Sequence, residues 1–300
     1  MGISQSRHLS PLVQRIDYES FPEVVKRCYE RSIALSIRFR ELIEKSKIKL
    51  PRESCLCLNG STSRLESVPD SDVDYVLIWN DSFATVQQNS QGYPGAKLQA
   101  RITVDKINSI LSSNGVRPCD SFSCDKSLSE LVTTENLFSR YSILTLIDSS
   151  LLAGDELMYS YFLDRIEKNL NDYAIGIRAD KLVIRTLVWY IQREGWIDQL
   201  QMGTSVNRFS RLIQLFVTIL SIDQFGIKRT RETKTTWLRI ENLRQSLHSS
   251  KLDCLKKLWL KALLLKEDRA RRPMLRDTGF IAVSELMEIW RDILSISQSA

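Results

Sequence analysis

Two aspartates one residue apart, Asp72 and Asp74, stand directly before the apolar run Tyr75-Val76-Leu77-Ile78-Trp79. A short apolar run of this kind reads as a buried strand. Side chains alternate along a strand, so the two carboxylates point the same way. Side by side they repel unless a cation lies between them. Mg2+ is the ordinary answer, because it takes hard oxygen ligands and is held by one or two carboxylates together with substrate phosphates. Upstream, Gly60-Ser61 follows a second apolar run, Cys55-Leu56-Cys57-Leu58. Glycine lets the backbone approach a ligand closely, and free N–H groups with a hydroxyl suit phosphate oxygens. The chemistry within reach is metal-assisted handling of a phosphate-bearing substrate. The elements that must position it are two strands joined by a Gly-Ser turn and a polar excursion.

Asn59 to Trp79 reads NGSTSRLESVPDSDVDYVLIW. This arrangement resembles the polymerase-beta-like nucleotidyltransferase superfamily, whose signature is a Gly-Ser or Gly-Gly turn, a spacer of about a dozen residues and Asp-x-Asp on a strand. It is most similar to nucleotidyltransferases related to the uridylyltransferase of nitrogen-regulatory PII proteins, with G-S-x-G-R-x-E followed by T-D-x-D. Here Gly60-Ser61-Thr62-Ser63-Arg64-Leu65-Glu66 and Ser71-Asp72-Val73-Asp74 occupy those places. Ser63 departs from the family's glycine and Ser71 from its usual threonine, and neither change removes a ligand.

The resemblance implies an α/β (α+β) nucleotidyltransferase core with a mixed sheet, followed by an all-α helical bundle. It implies transfer of a nucleoside monophosphate from a nucleoside triphosphate onto a protein acceptor, with pyrophosphate leaving. Asp72 and Asp74 would hold Mg2+, or Mn2+ in its place, and Gly60 and Ser61 would cradle the β- and γ-phosphates. Arg64 would touch the triphosphate or lock the loop through Glu66, the loop salt bridge being the expected one. Active members often carry a third carboxylate after the next helix. Asp120 takes that place, as a further metal ligand and as the base, with Asp125 behind it. The competing reading of Asp120 is a plain turn residue beside Pro118. His8 and His248, the only histidines, lie far from the motif. Transfer to RNA such as a tRNA end, and a regulator that binds nucleotides without turnover, are the rival functions.

The chain has 300 residues, 26 % of them charged, a net charge of +6 and a pI near 9.0. These are values of a globular protein of one large or two ordinary domains. No apolar run reaches the length of a membrane span, and MGISQSRHLS lacks the apolar core of a secretory signal. Met-Gly-Ile-Ser-Gln-Ser fits the loose acylation pattern, but a short disordered start is the expected reading. Scattered cysteines point to a reduced, cytoplasmic protein. Cys55, Cys57, Cys119 and Cys124 could be read as zinc ligands; Cys55 and Cys57 sharing one face of a buried strand is the better reading.

Three segments follow: a helical arm over 1–53, a catalytic domain over 54–154 and a helical, substrate-binding domain over 155–300. The arm carries an apolar stripe ending at Lys47-Ile48-Lys49-Leu50-Pro51. A polar loop (87–95), a helix (97–113) stopped by Asn114-Gly115 and a candidate strand over 116–122 come after Trp79. Helices are expected over 127–138 and 141–152, closed by Ala153-Gly154-Asp155, with Asp155 capping the next helix. Later helices fall over 155–171, 178–194, 206–224, 232–248, 251–267 and 282–297. Residues 226–276 are strongly basic, which suits either an acidic partner such as RNA or a solvated set of helix faces.

Overall fold

The computed structural model describes residues 18–69, 71–81, 95–119, 124–133, 140–174, 176–202, 205–245, 247–268 and 283–299. The N-terminal pattern, most of the polar loop over 87–95, Asp120 and the arginines at 269–276 lie outside these residues.

After a short 3-10 turn, helix α1 (Glu23–Lys45) leads to strand β1 (Ser54–Leu58). A single helical turn α2 (Gly60–Ser63) and an irregular segment lead to β2 (Tyr75–Trp79), then α3 (Ala96–Ser113), β3 (Cys124–Ser127), α4 (Leu128–Val132), α5 (Arg140–Asp148) and β4 (Ser150–Gly154). From there on the described chain is helical: α6 (Glu156–Tyr173), α7 (Ala179–Arg193), α8 (Trp196–Met202), α9 (Val206–Glu232), α10 (Thr236–Asn242), α11 (Ser249–Glu267) and α12 (Val283–Gln298). The expected class is observed, a mixed sheet with helices followed by a helical region.

The four strands lie in the order β3-β2-β1-β4. β1 is antiparallel to both neighbours, and β2 runs parallel to β3. β1 and β2 are buried throughout, because both sheet faces are covered. Alternate residues divide between two cores. Cys55, Cys57, Val76 and Ile78 join the large core shared with α1 and the C-terminal helices. Leu56, Leu58, Tyr75, Leu77 and Trp79 join a smaller one with Phe39, Ala100, Val104, Ile107 and Leu111. Cys55 and Cys57 therefore sit side by side in an apolar face, their sulfurs 3.5 Å apart, as core residues.

Two expectations are corrected. Of the run expected as a strand over 116–122, the described part, 116–119, contributes an isolated bridge, Val73 to Pro118, while 120–122 lie outside the described residues and the described strand is Cys124–Ser127. Pro118 has no N–H to give a ladder, so regular pairing starts only beyond it. The helix expected over 141–152 ends at Asp148, and Ser150–Gly154 pairs with β1. A short run such as Leu151-Leu152-Ala153 fits helix and strand equally well by pattern; the open edge of β1 decides it. Asp155 caps α6, accepting from Leu157 N at 2.7 Å.

β4 closes against β1 at Gly154, which has φ +111°; a Cβ there would lie 2.8 Å from the Ser54 carbonyl oxygen. Gly154→Ala is therefore expected to lose about 1–3 kcal/mol, read as a lower midpoint in chemical denaturation. An unchanged midpoint would mean that this edge pairing is dispensable.

Candidate active site

Val73 is the peg that positions both aspartates. Its N–H donates to the Arg117 carbonyl at 2.8 Å, and its own carbonyl accepts from Cys119 N at 3.2 Å. Val73, Tyr75 and Leu77 all face the smaller core, so alternation turns Asp72 and Asp74 to the opposite face, toward the helical region. The same bridge brings Cys119 alongside. Ligand atoms of Asp72, Asp74 and Cys119 all lie within 4.8 Å of one another. Burial raises the Asp74 pKa above the ordinary carboxylate range and the Asp72 charge adds to this, while a hydrogen bond from Cys119, Arg211 and Arg64 act the other way.

The Gly60 turn packs directly under Asp74. Gly60 has φ +63°, and a Cβ on it would stand 1.7 Å from Asp74 Oδ2. No other residue fits, on backbone and on space alike. Asn59 N donates to the Asp74 carbonyl at 2.9 Å, which ties turn and strand together. The Asn59 side chain is 1 % exposed, and neither end of its amide has a partner among the described residues. A buried amide left so costs about 1–3 kcal/mol, a cost tolerated most readily at sites awaiting a ligand.

Beyond the turn, Arg64 Nε donates to Glu66 Oε2 at 3.1 Å, and Arg64 Nη1 to Asp148 Oδ2 at 3.2 Å. The loop salt bridge is thus present. Glu66 reaches on to accept from Thr236 N at 2.5 Å, at the start of α10. Asp148 also takes Arg239 Nη2 at 2.9 Å and Gln214 Nε2 at 3.3 Å. Burial alone would raise the Asp148 pKa; the Arg239 and Arg64 guanidiniums outweigh it and hold the carboxyl below its usual range. Ser63, where the resembled family has glycine, bonds to the Asp148 carbonyl and to Ser150 Oγ, so the departure adds a tie to β4.

Of the residues expected at the site, the structure brings together Gly60, Asp72 and Asp74, with Arg64 and Ser61 in the same loop. Asp125 pairs alongside Leu77, a residue of the other sheet face, and stands apart from the cluster. Cys119 was missed as a member; its position between Pro118 and the expected acid was the available signal. The helical region adds Arg211 and Lys266. Burial depresses the Lys266 pKa, with the Arg64 and Arg211 charges pushing the same way, so the three cations are within electrostatic reach of one another.

Residues 7–123 match the family described as "Putative nucleotidyltransferase DUF294". The match supports a nucleotidyltransferase family and spans the Gly60 turn, both aspartates and Cys119. No curated protein matches the chain. Among the described residues no helix is long and apolar enough to cross a membrane.

Removing one partner of a buried ion pair strands the other. Asp148→Asn is expected to cost about 3–5 kcal/mol in urea unfolding. Because the folded Asp148 pKa is lowered, its contribution is complete above about pH 4 and fades as pH falls through the folded value. Lys234 tests the opposite sign. It donates to the Ser149 carbonyl at 2.6 Å, and burial lowers its pKa to about 8. Its charged form therefore costs stability at neutral pH, and that cost fades as pH rises through about 8. The stability of wild type minus that of Lys234→Gln should grow across this range; a flat difference would show that Lys234 is not titrating there.

Proposed function

We propose that the chain transfers a nucleoside monophosphate from a nucleoside triphosphate to a protein acceptor, with Mg2+ and with release of pyrophosphate, in the manner of the PII-modifying uridylyltransferases. The observation that carries this reading is the pair Asp72 and Asp74, turned to one side with their ligand atoms close together and Asp74 packed against Gly60. Two carboxylates held this close, one of them disfavoured as an anion by burial, form a donor set that calls for a cation. Mg2+, or Mn2+ in its place, fits through the carboxylates; the Cys119 thiol is a soft donor that a hard ion does not require. When bound, such an ion neutralises charge on the attacking and leaving oxygens.

The chain's own residues supply the rest. Backbone N–H groups of Gly60 and Ser61 open the turn with no acceptor among the described residues, and suit the β- and γ-phosphates. Arg211, whose charge acts on Asp74, and Lys266, whose charge acts together with Arg211 and Arg64, would offset phosphate charge. Arg64, tied to Glu66 and Asp148, acts by fixing the loop. Asp120 is proposed as the third carboxylate and the base from the sequence resemblance alone.

A protein acceptor is favoured over RNA by how the basic stretch is used. Lys234 and Arg239 are buried. Arg231 pairs with Glu167, Arg244 and Lys256 with Glu241, and Lys251 with Asp292. Among the described residues these cations are buried or paired with acids of the fold, and so are less available to a phosphate backbone.

The test is transfer of α-labelled nucleoside triphosphate into a cell lysate. Label in protein supports the proposal, label in RNA moves it to the rival acceptor, and no label supports a nucleotide-binding regulator. Asp72→Asn and Asp74→Asn are each expected to bring transfer to background. Asp74→Asn should keep or raise the melting temperature, since its raised folded pKa means that the ionised carboxylate costs stability at neutral pH. Persistent turnover in either variant would remove these residues from the chemistry. Mg2+ with nucleotide at a hundred times Kd should stabilise by about 2.7 kcal/mol, and either alone by much less; equal stabilisation without metal would indicate a plain phosphate site.

A further inference from the structure

The helical region holds a cavity of about 260 Å3 at the start of α9. Tyr190 and Trp196 form its apolar wall, their rings edge to face at 5.3 Å. Gln199, Asn207, Arg208 and Arg211 line the rest, with Glu194 at the margin. Arg208 Nη1 donates to Gln199 Oε1 at 2.7 Å, and Gln199 Nε2 to the Glu194 carbonyl at 3.3 Å, so this side of the cavity is braced. The Asn207 carboxamide has no partner among the described residues and retains both its donors and its acceptor.

Position along α9 ties this cavity to the aspartates. Arg211, Gln214 and Thr218 recur at helical spacing and lie on one face. Gln214 touches Asp148 and Thr218 touches Arg239, the cluster that holds Arg64 beside the Gly60 turn. Arg211 is one turn before Gln214, about 5 Å along the axis, and lines the cavity. It also acts electrostatically on Asp74. One guanidinium thus lines a polar, aromatic-walled hollow and is felt electrostatically at the acidic pair.

We infer that this cavity receives the nucleoside half of the triphosphate, with Arg211 at the junction between nucleoside and phosphates. This rests on the function proposed above and extends it to a named binding surface. The volume lies just under the range of whole small-molecule sites, which suits one nucleoside and excludes a macromolecular acceptor. Two aromatic side chains offer apolar area to a base, and a free carboxamide can donate and accept at a base edge in the way asparagine does in nucleic-acid recognition. The acidic pair supplies neither.

The experiment is calorimetric titration of the full chain with Mg2+ and either inorganic tripolyphosphate or each of the four ribonucleoside triphosphates. Wild type is expected to bind at least one nucleotide roughly tenfold or more tighter than tripolyphosphate. Asn207→Ala and Arg208→Ala, both changes of exposed side chains, should each cut that advantage to within about threefold and leave tripolyphosphate affinity unchanged. Tripolyphosphate binding as tightly as every nucleotide, or a nucleotide advantage indifferent to both variants, overturns this inference and leaves the phosphate site standing. Binding of neither ligand overturns the proposed function and this inference together.

Discussion

A carboxylate sealed away from water, that of Asp148, is the constraint on which the rest of the molecule depends. Its side chain and that of Arg239 are each 1 % exposed. Burying an ion costs several kcal/mol, recovered only if geometry is good and the remaining lone pairs are met. Here they are: one oxygen takes Arg239, the other takes Arg64 and Gln214. Arg239 in turn donates to Thr218 Oγ1 and to the Thr233 carbonyl. The two guanidiniums come from parts of the chain far apart in sequence, one from the loop after β1 and one from α10. Neither the loop nor α10 can move without exposing an unpaired charge.

That closure sets the shape of the site loop. With Arg64 anchored on Asp148 and Glu66 anchored on Thr236, Leu65 between them is held at φ +62°. A left-handed conformation costs such a residue about 1–2 kcal/mol, and the two anchors on either side sustain it. Lys47 and Glu53 share the sign of φ, but neither is buried, whereas Leu65 is 5 % exposed. Strain of this kind persists only where the surroundings over-determine it. The Gly60 turn therefore inherits its position from the helical region, through Arg64 and Glu66, as well as from the sheet.

Much of this was legible in the sequence, and the reasons differ by residue. The apolar runs of β1 and β2 announced strands buried on both faces, and Asp-x-Asp announced a same-face pair, because both rest on the two-residue period alone. The Arg64–Glu66 pairing followed from two charges flanking one residue. β4 was not legible, since Ser150–Gly154 becomes a strand only through the edge that β1 offers it, a tertiary fact with no local signature. The place of Cys119 was hidden for the same reason: Val73 bridging Pro118 is a long-range pairing. The basic stretch misled in part. Composition counts Lys234 and Arg239 as surface charge, and only packing shows that they are interior cations facing Asp148 and the Ser149 carbonyl.

Conflict between local preference and global fold is informative where it concentrates. Within residues 59–74 the structure tolerates a buried amide with no partner at Asn59, a left-handed glycine pressed against a carboxylate at Gly60, a left-handed leucine at Leu65 and an anion at Asp74 that its surroundings disfavour. The neighbouring Asp148 carboxylate, more deeply buried, has a partner on each oxygen. The same few elements thus resolve one carboxylate fully and leave another unresolved. Packing alone would favour neutralising Asp74, and the bridge at Val73 instead keeps it beside Asp72. A bound cation and the phosphates it brings would relieve the repulsion at Asp72 and Asp74 and meet the open N–H groups of the turn. That reciprocity, more than the motif by itself, is the physical ground for placing chemistry there.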